Sequence, residues 1–412
     1  MTDTSLYWLW LSSLPEVSLQ AKSVLLEVFG SPKEAFYAPS GAYSKIEGIS
    51  KRDASLLEAR DLTLARIIPE RCEEEGITIL TPEEEAYPVR LKQIYAPPAA
   101  LYVKGHLPTL DKEVPVAVIG TRKASTYGLK MGRSMAYELS KCGAVIVSGL
   151  TMGIDAAAAE GALAAGGVCI GVLGTPIEAA KSRLAISVCL KGALISEYAP
   201  GTPLLKPFFR ARNRIASGIS CGVVVVEAPE KSGTRLFVAE ALEQGKEIFA
   251  VPGNADSETS AGTIRFLREG AQLVTRGWEV AEELDSAFSG VLDPTCHEKF
   301  PVYDGSPASA DETKTETVKE IKKGRKENDS PKKRLDKQES PCYIDITDAI
   351  STLSEIQQQI MLAILAGHSS AEEIIETTLY PAKDVLVQLT LLEIRGLIRR
   401  DSVKGIVPKE AH

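Results

Sequence analysis

Residues 114–155 constrain the fold more than any other stretch: VPVAVIGTRKASTYGLKMGRSMAYELSKCGAVIVSGLTMGID. Two apolar runs, 116–119 and 144–147, show no alternation of polar and apolar side chains, and a helical pattern over 125–141 joins them. Runs of that kind suit strands covered on both faces, and the helix between them makes the unit a βαβ with parallel strands. Both runs end in small residues, Gly120-Thr121-Arg122 and Ser148-Gly149-Leu150. In open parallel sheets ligands bind at these carboxyl ends, where a loop entering a helix offers free N–H groups suited to phosphate.

The pattern continues. Strands are predicted at 168–173, 194–197, 223–227 and 247–251, with an edge strand at 272–274. Helices are predicted at 155–165, 212–218, 234–244 and 263–269. The alternation specifies an α/β fold, a Rossmann-like doubly wound and mostly parallel sheet over 114–284. Before it, residues 1–70 read as small helices, a SAM or helix-hairpin-helix-like domain, with Ser31-Pro32-Lys33-Glu34 capping one of them. Trp8 and Trp10 are expected in its core, and Ile46-Glu47-Gly48-Ile49-Ser50 is read as an ordinary turn. Residues 71–113 form a connecting extension containing a short strand at 76–80. Residues 285–345 are rich in both charge signs and poor in large apolar residues, which marks a flexible charged linker; its basic run Lys332-Lys333-Arg334 is read as solvated. Three helical patterns and a hairpin around Lys404-Gly405 then give a winged-helix-like domain over 346–412, whose apolar third helix suits protein contact better than groove reading.

Composition excludes several classes. With a net charge of −8, any nucleic-acid site must be a local patch. The seven cysteines include no CxxC spacing, and the four histidines all lie outside the central domain. No metal site, no cofactor and a reduced, cytoplasmic setting are expected. No apolar run reaches the roughly 18 residues of a spanning helix, so no membrane association is expected. The Walker and dinucleotide fingerprints, GxxxxGK[ST] and GxGxxG, are both absent.

The strand ends instead supply glycine, hydroxyl and cation: Gly120, Thr121, Arg122, Ser148, Gly149, and Lys231-Ser232-Gly233 before the helix at 234. The run LLKPFFRARNR (204–214) adds Lys206, Phe209, Arg210, Arg212, Asn213 and Arg214 without an acid. Cations interleaved with aromatics suit a single strand, phosphates pairing with Arg and Lys and bases stacking on Phe. Composition alone leaves a second reading open, in which the phenylalanines enter the core and the arginines pair with carboxylates. Glu197 and Glu227 are expected as such partners rather than as a paired acid and base, and Asp155 as an N-cap.

Six motifs in fixed order resemble those of the DprA or Smf family of DNA-processing proteins: VAVIGTRKASTYG (116–128), VSGLTMGIDAAA (147–158), GALISEYAPGTP (192–203), FFRARNRIASGIS (208–220), VVVVEAPEKSGT (223–234) and VPGNADSETSAG (251–262). The resemblance implies a cytoplasmic, non-enzymatic, homodimeric protein that binds single-stranded DNA and loads the RecA recombinase during natural transformation. It implies a DNA pocket built from Arg122, Ser148-Gly149, Phe209, Arg212-Asn213-Arg214 and Ser232-Gly233. The chain departs from the family pattern at Thr121, Ala159, residues 175–188, Arg210 and Ile264. Two other functions compete. A nucleotide phosphoribohydrolase-like enzyme would carry PGGxGTxxE where this chain has Pro229-Glu230-Lys231-Ser232-Gly233-Thr234, lacking the double glycine and the acid. A protein-interaction scaffold would bind partners without DNA affinity.

Overall fold

In a computed structural model, residues 3–300, 303 and 305 are described, together with scattered positions between 357 and 408. The chain divides into two units, Met1–Val318 and Lys319–His412.

The first unit is built on a nine-stranded sheet of order β1-β2-β6-β5-β4-β3-β7-β8-β9. The strands are β1 (Thr78–Leu80), β2 (Leu101–Gly105), β3 (Pro115–Ile119), β4 (Val145–Ser148), β5 (Cys169–Leu173), β6 (Ala193–Ser196), β7 (Gly222–Val225), β8 (Glu247–Ala250) and β9 (Gln272–Leu273). From β6 through β9 all pairings are parallel, while β1 and β2 extend the sheet antiparallel beyond β6. The extension at 71–113 is thus part of the sheet. Strand order reverses at β3, which pairs with β4 on one side and β7 on the other.

The apolar runs fill two cores. Val116 and Val118 of β3 face one layer, Ala117 and Ile119 the other, and β4 and β7 divide likewise. A period of two with both faces buried is read along the chain as an unbroken apolar run. One layer holds α7 (Thr126–Lys141), α8 (Ile154–Ala164), α9 (Arg183–Lys191) and α14 (Gly277–Asp285); the other holds α6 (Val89–Lys92), α11 (Asn213–Ile219), α12 (Thr234–Glu243) and α13 (Ala261–Arg268). A short α10 (Lys206–Ala211) runs into α11.

Helices α1 (Asp3–Ser12), α2 (Leu19–Phe29), α3 (Pro32–Phe36), α4 (Lys51–Glu58) and α5 (Thr63–Glu74) make up the amino-terminal segment. Ser31 caps α3 with Pro32 at its first position, as expected. Trp10 is fully buried, whereas Trp8 is half-buried and donates its indole N–H to Glu83. These helices share the first core layer with the sheet, and the Ser12 and Tyr102 hydroxyls meet at 2.9 Å.

Two expectations are corrected here. The stretch from 285 does not begin as a linker: Leu292 and Cys296 are buried, and the Asp293 N–H donates to Cys142 O at the end of α7. That return brings Cys296 against Cys142, 154 residues away in sequence, and the two form a disulfide with Cα atoms 5.4 Å apart. A uniformly reduced set of cysteines is therefore not what the fold contains; Cys72, Cys169, Cys189 and Cys221 are free. Most of the expected linker lies outside the described residues. In the second unit, β10 (Ile398–Asp401) and β11 (Gly405–Pro408) pair antiparallel, which is the expected hairpin. Most of the three preceding helical patterns fall outside the described residues.

Candidate nucleic-acid interface

The point where strand order reverses leaves a crevice between the carboxyl ends of β3 and β7, the position at which doubly wound sheets take ligands. It holds a cavity of about 490 Å³. Gly120, Thr121 and Arg122 line it from β3; Phe209, Arg210, Arg212 and Asn213 from α10 and α11; Ser232 and Gly233 from the turn into α12. Nine of the fourteen residues singled out in the sequence thus meet in one place.

Of the other five, Ser148, Gly149, Arg214 and Lys231 lie outside the lining. Ser148 is buried; its hydroxyl donates to Asp155 O and accepts from the Leu150 N–H, fixing the loop after β4. Leu150 is held at φ 52°, a conformation bulky residues avoid, so this loop carries strain. Gly149 makes room for Arg212: a Cβ there would stand 2.5 Å from Arg212 Cζ. Lys206 opens α10. Lys231 is exposed next to Ser232 but does not line the cavity. Arg214 is the clearest departure. Buried at 3% exposure, it faces away from this cavity and pairs with Glu197. Two residues along a helix turn a side chain by about 200°, so Arg212 and Arg214 cannot share a face.

The two open readings of the 204–214 run each hold for part of it. Phe208 is buried and stacks on Tyr198 at 3.8 Å between ring centroids, while Phe209 is 38% exposed at the cavity. That stacking seats α10 against the residues after β6, and the turn after β5 meets it too: a Cβ at Gly174 would come within 2.8 Å of Phe209 Cα.

Arg212 is buried, with Nη1 donating to Val172 O at 3.1 Å and Nε without a partner. Burial lowers its pKa from the ordinary value, Asp155 acting against that and Arg122 with it. Asp155 is corrected from its expected role. Gly153, at φ 81°, stands at the N-cap of α8, and the Asp155 carboxylate is buried and accepts from the Thr151 hydroxyl at 2.9 Å. Burial pushes its carboxyl up, opposed by Arg212, by the Thr151 hydroxyl, by Arg122 and by the Gly120 N–H. Ser232 Oγ is a second buried atom without a partner. With three arginines to one carboxylate, the cavity is cationic, and it presents unsatisfied donors, which suits an anion.

Glu197 is the ion-pair partner expected, but Glu227 is not. Its carboxylate accepts from the Ser125 N–H at 2.9 Å, the Ser125 hydroxyl at 2.6 Å and the Thr259 hydroxyl at 2.9 Å. It ties the Arg122 loop to the loop after β8. Thr151, Asp155, Leu236 and Phe237 also line the cavity and were not singled out beforehand as ligand-contacting residues. The only advance signal is their place in the loop, or in the first helical turn, that follows a strand.

A match to DNA recombination-mediator protein A covers residues 78–285, half of the chain and all of this site. The chain belongs to that family. Among its members, DNA processing protein DprA of Bacillus subtilis (strain 168) is 38% identical over 215 residues, 51% of this chain and 72% of that protein. Protein Smf of Synechocystis sp. is 27% identical over 404 residues, 96% of each chain. The X-ray structure of DprA from Streptococcus pneumoniae superposes with a TM-score of 0.57 at 33% identity, covering 69% of this chain and 98% of that one. Among the described residues, no group of side chains is placed to hold a metal ion and no helix is long and apolar enough to cross a membrane.

Proposed function

We propose that this recombination-mediator family member binds single-stranded DNA in the switch-point cavity, acts as a cytoplasmic homodimer, and delivers the strand to the RecA recombinase during transformation. One observation carries the binding site: Arg212 Nε and Ser232 Oγ are buried without partners in a cavity that also presents Arg122, Arg210 and the exposed Phe209. A phosphate satisfies the orphaned donors, the start of α12 favours its charge, and Phe209 offers a face for a base. Recombinase delivery, dimerisation and the setting rest on family membership. The test is the salt dependence of oligonucleotide binding. Arg122→Ala and Arg212→Ala should each lower the log–log salt slope by about 0.7, one phosphate contact apiece. Unchanged slopes in folded variants would remove the site from this cavity.

A further inference from the structure

Helices α10 and α11 separate the switch-point cavity from a second one of about 510 Å³. Its walls come from the end of α1, the loop into α2 and the starts of α2 and α4, from the loop at 95–99 and the residues just after β6, and from the inner side of α10, α11 and α12. The lining is mainly apolar with a few charged groups, the make-up of a site for an organic ligand. Lys22 and Arg52 reach it from the amino-terminal helices, and Tyr95, 63% exposed, stands at its mouth beside Ala96, which holds a φ of 49°. Arg214 lies at its inner side with Nε and Nη1 buried and unpartnered, although Nη2 is paired with Glu197. Two further carboxylates, Glu16 and Glu240, also line it against the four cations. Arg210 belongs to both cavities.

We propose that the second cavity is a subsite for the same single strand, taking a nucleotide beyond those held at the switch point, with the amino-terminal helices as its outer wall. The proposal rests on the binding reading above. Arg210 supplies the continuity, since a phosphate on it lies between the two cavities. Lys22 and Arg52 then meet the next phosphates, and Tyr95 offers its ring to a base. This gives the amino-terminal helices a direct part in strand binding.

The test is a series of oligo(dT) lengths from about 4 to about 16 nucleotides, the range one single-strand module spans. It is run on the full chain and on the double variant Lys22→Ala/Arg52→Ala, neither residue belonging to the switch-point cavity. The unaltered chain should gain affinity as length passes what the first cavity holds. The double variant should match it on short oligonucleotides, lose the gain on long ones, and show a long-oligonucleotide salt slope lower by about 1.4. Tyr95→Ala, on a separate loop, should show the same length-dependent loss, roughly 5- to 150-fold, the stacking contribution of one base. Unaltered binding at every length in both variants would overturn the subsite and leave the first cavity standing. A loss on short oligonucleotides as well would show these residues acting through the first cavity, and would also overturn it. Failure of the unaltered chain to bind any length would overturn both readings.

Discussion

Gly149→Ala separates the placing of Arg212 from its charge. Gly149 has no positive φ, so its backbone accepts alanine, but the new Cβ would stand 2.5 Å from Arg212 Cζ. The obstacle is the far end of a flexible side chain, so the guanidinium gives way rather than the backbone. In doing so it leaves Val172 O and the cavity. Losing one buried hydrogen bond costs about 1 kcal/mol, a fall in Tm of only about 1–2 °C for a unit spanning Met1–Val318. Losing one charge-assisted contact to phosphate costs about 1.5–3 kcal/mol, so single-strand affinity should fall about 10- to 150-fold with every charge retained. Fluorescence anisotropy of a labelled oligonucleotide, beside a thermal melt, measures both. Because the two changes act on one contact, Gly149→Ala/Arg212→Ala should bind no more weakly than Arg212→Ala alone. Wild-type affinity in Gly149→Ala, or additive losses in the double variant, would refute the argument.

Other perturbations act on stability. Arg214→Ala leaves Glu197 buried without its partner and should cost about 3–5 kcal/mol by chemical denaturation, with the short-oligonucleotide salt slope unchanged. Glu227→Gln offers one acceptor oxygen to three donors, and should lower stability by about 1–3 kcal/mol and weaken binding by freeing the Arg122 loop. The Lys22 ammonium is pushed down to about 8, burial being the main cause and Arg214 adding to it, with Glu197 and Glu16 opposing. Between that value and about 10.4 the unfolded chain holds a proton the folded chain has released, so stability rises with pH across this window. Lys22→Met should lack that rise in melts at pH 8 to 10, and an identical pH profile would contradict it.

The parallel sheet was legible because burial on both faces leaves a mark that local reading detects. All seven parallel strands, β3 through β9, were anticipated to within a few residues. What escaped was either ambiguous locally or decided at long range. In α9, RLAISVCLK mixes β-branched residues at strand-like spacing, and no helix was predicted there. The place of β2 depends on pairing with β6, about 90 residues later. Gly-Thr-Arg and Ser-Gly stand out by their position at strand ends, and that position brings Gly120, Thr121 and Arg122 to the cavity while Ser148 and Gly149 stay outside its lining. Composition groups Arg214 with Arg212, and helical geometry separates them. The position of Asp155 suggests an N-cap, yet Gly153 stands there, and burial beside Arg212 depends on the folded chain.

The most direct test of the central claim is the anisotropy of a labelled single-stranded oligonucleotide titrated with the full chain, at two salt concentrations and with unlabelled duplex as competitor. The account predicts binding that weakens steeply with salt and that duplex does not displace. Absence of binding at low salt, or displacement by duplex as readily as by single strand, would contradict it.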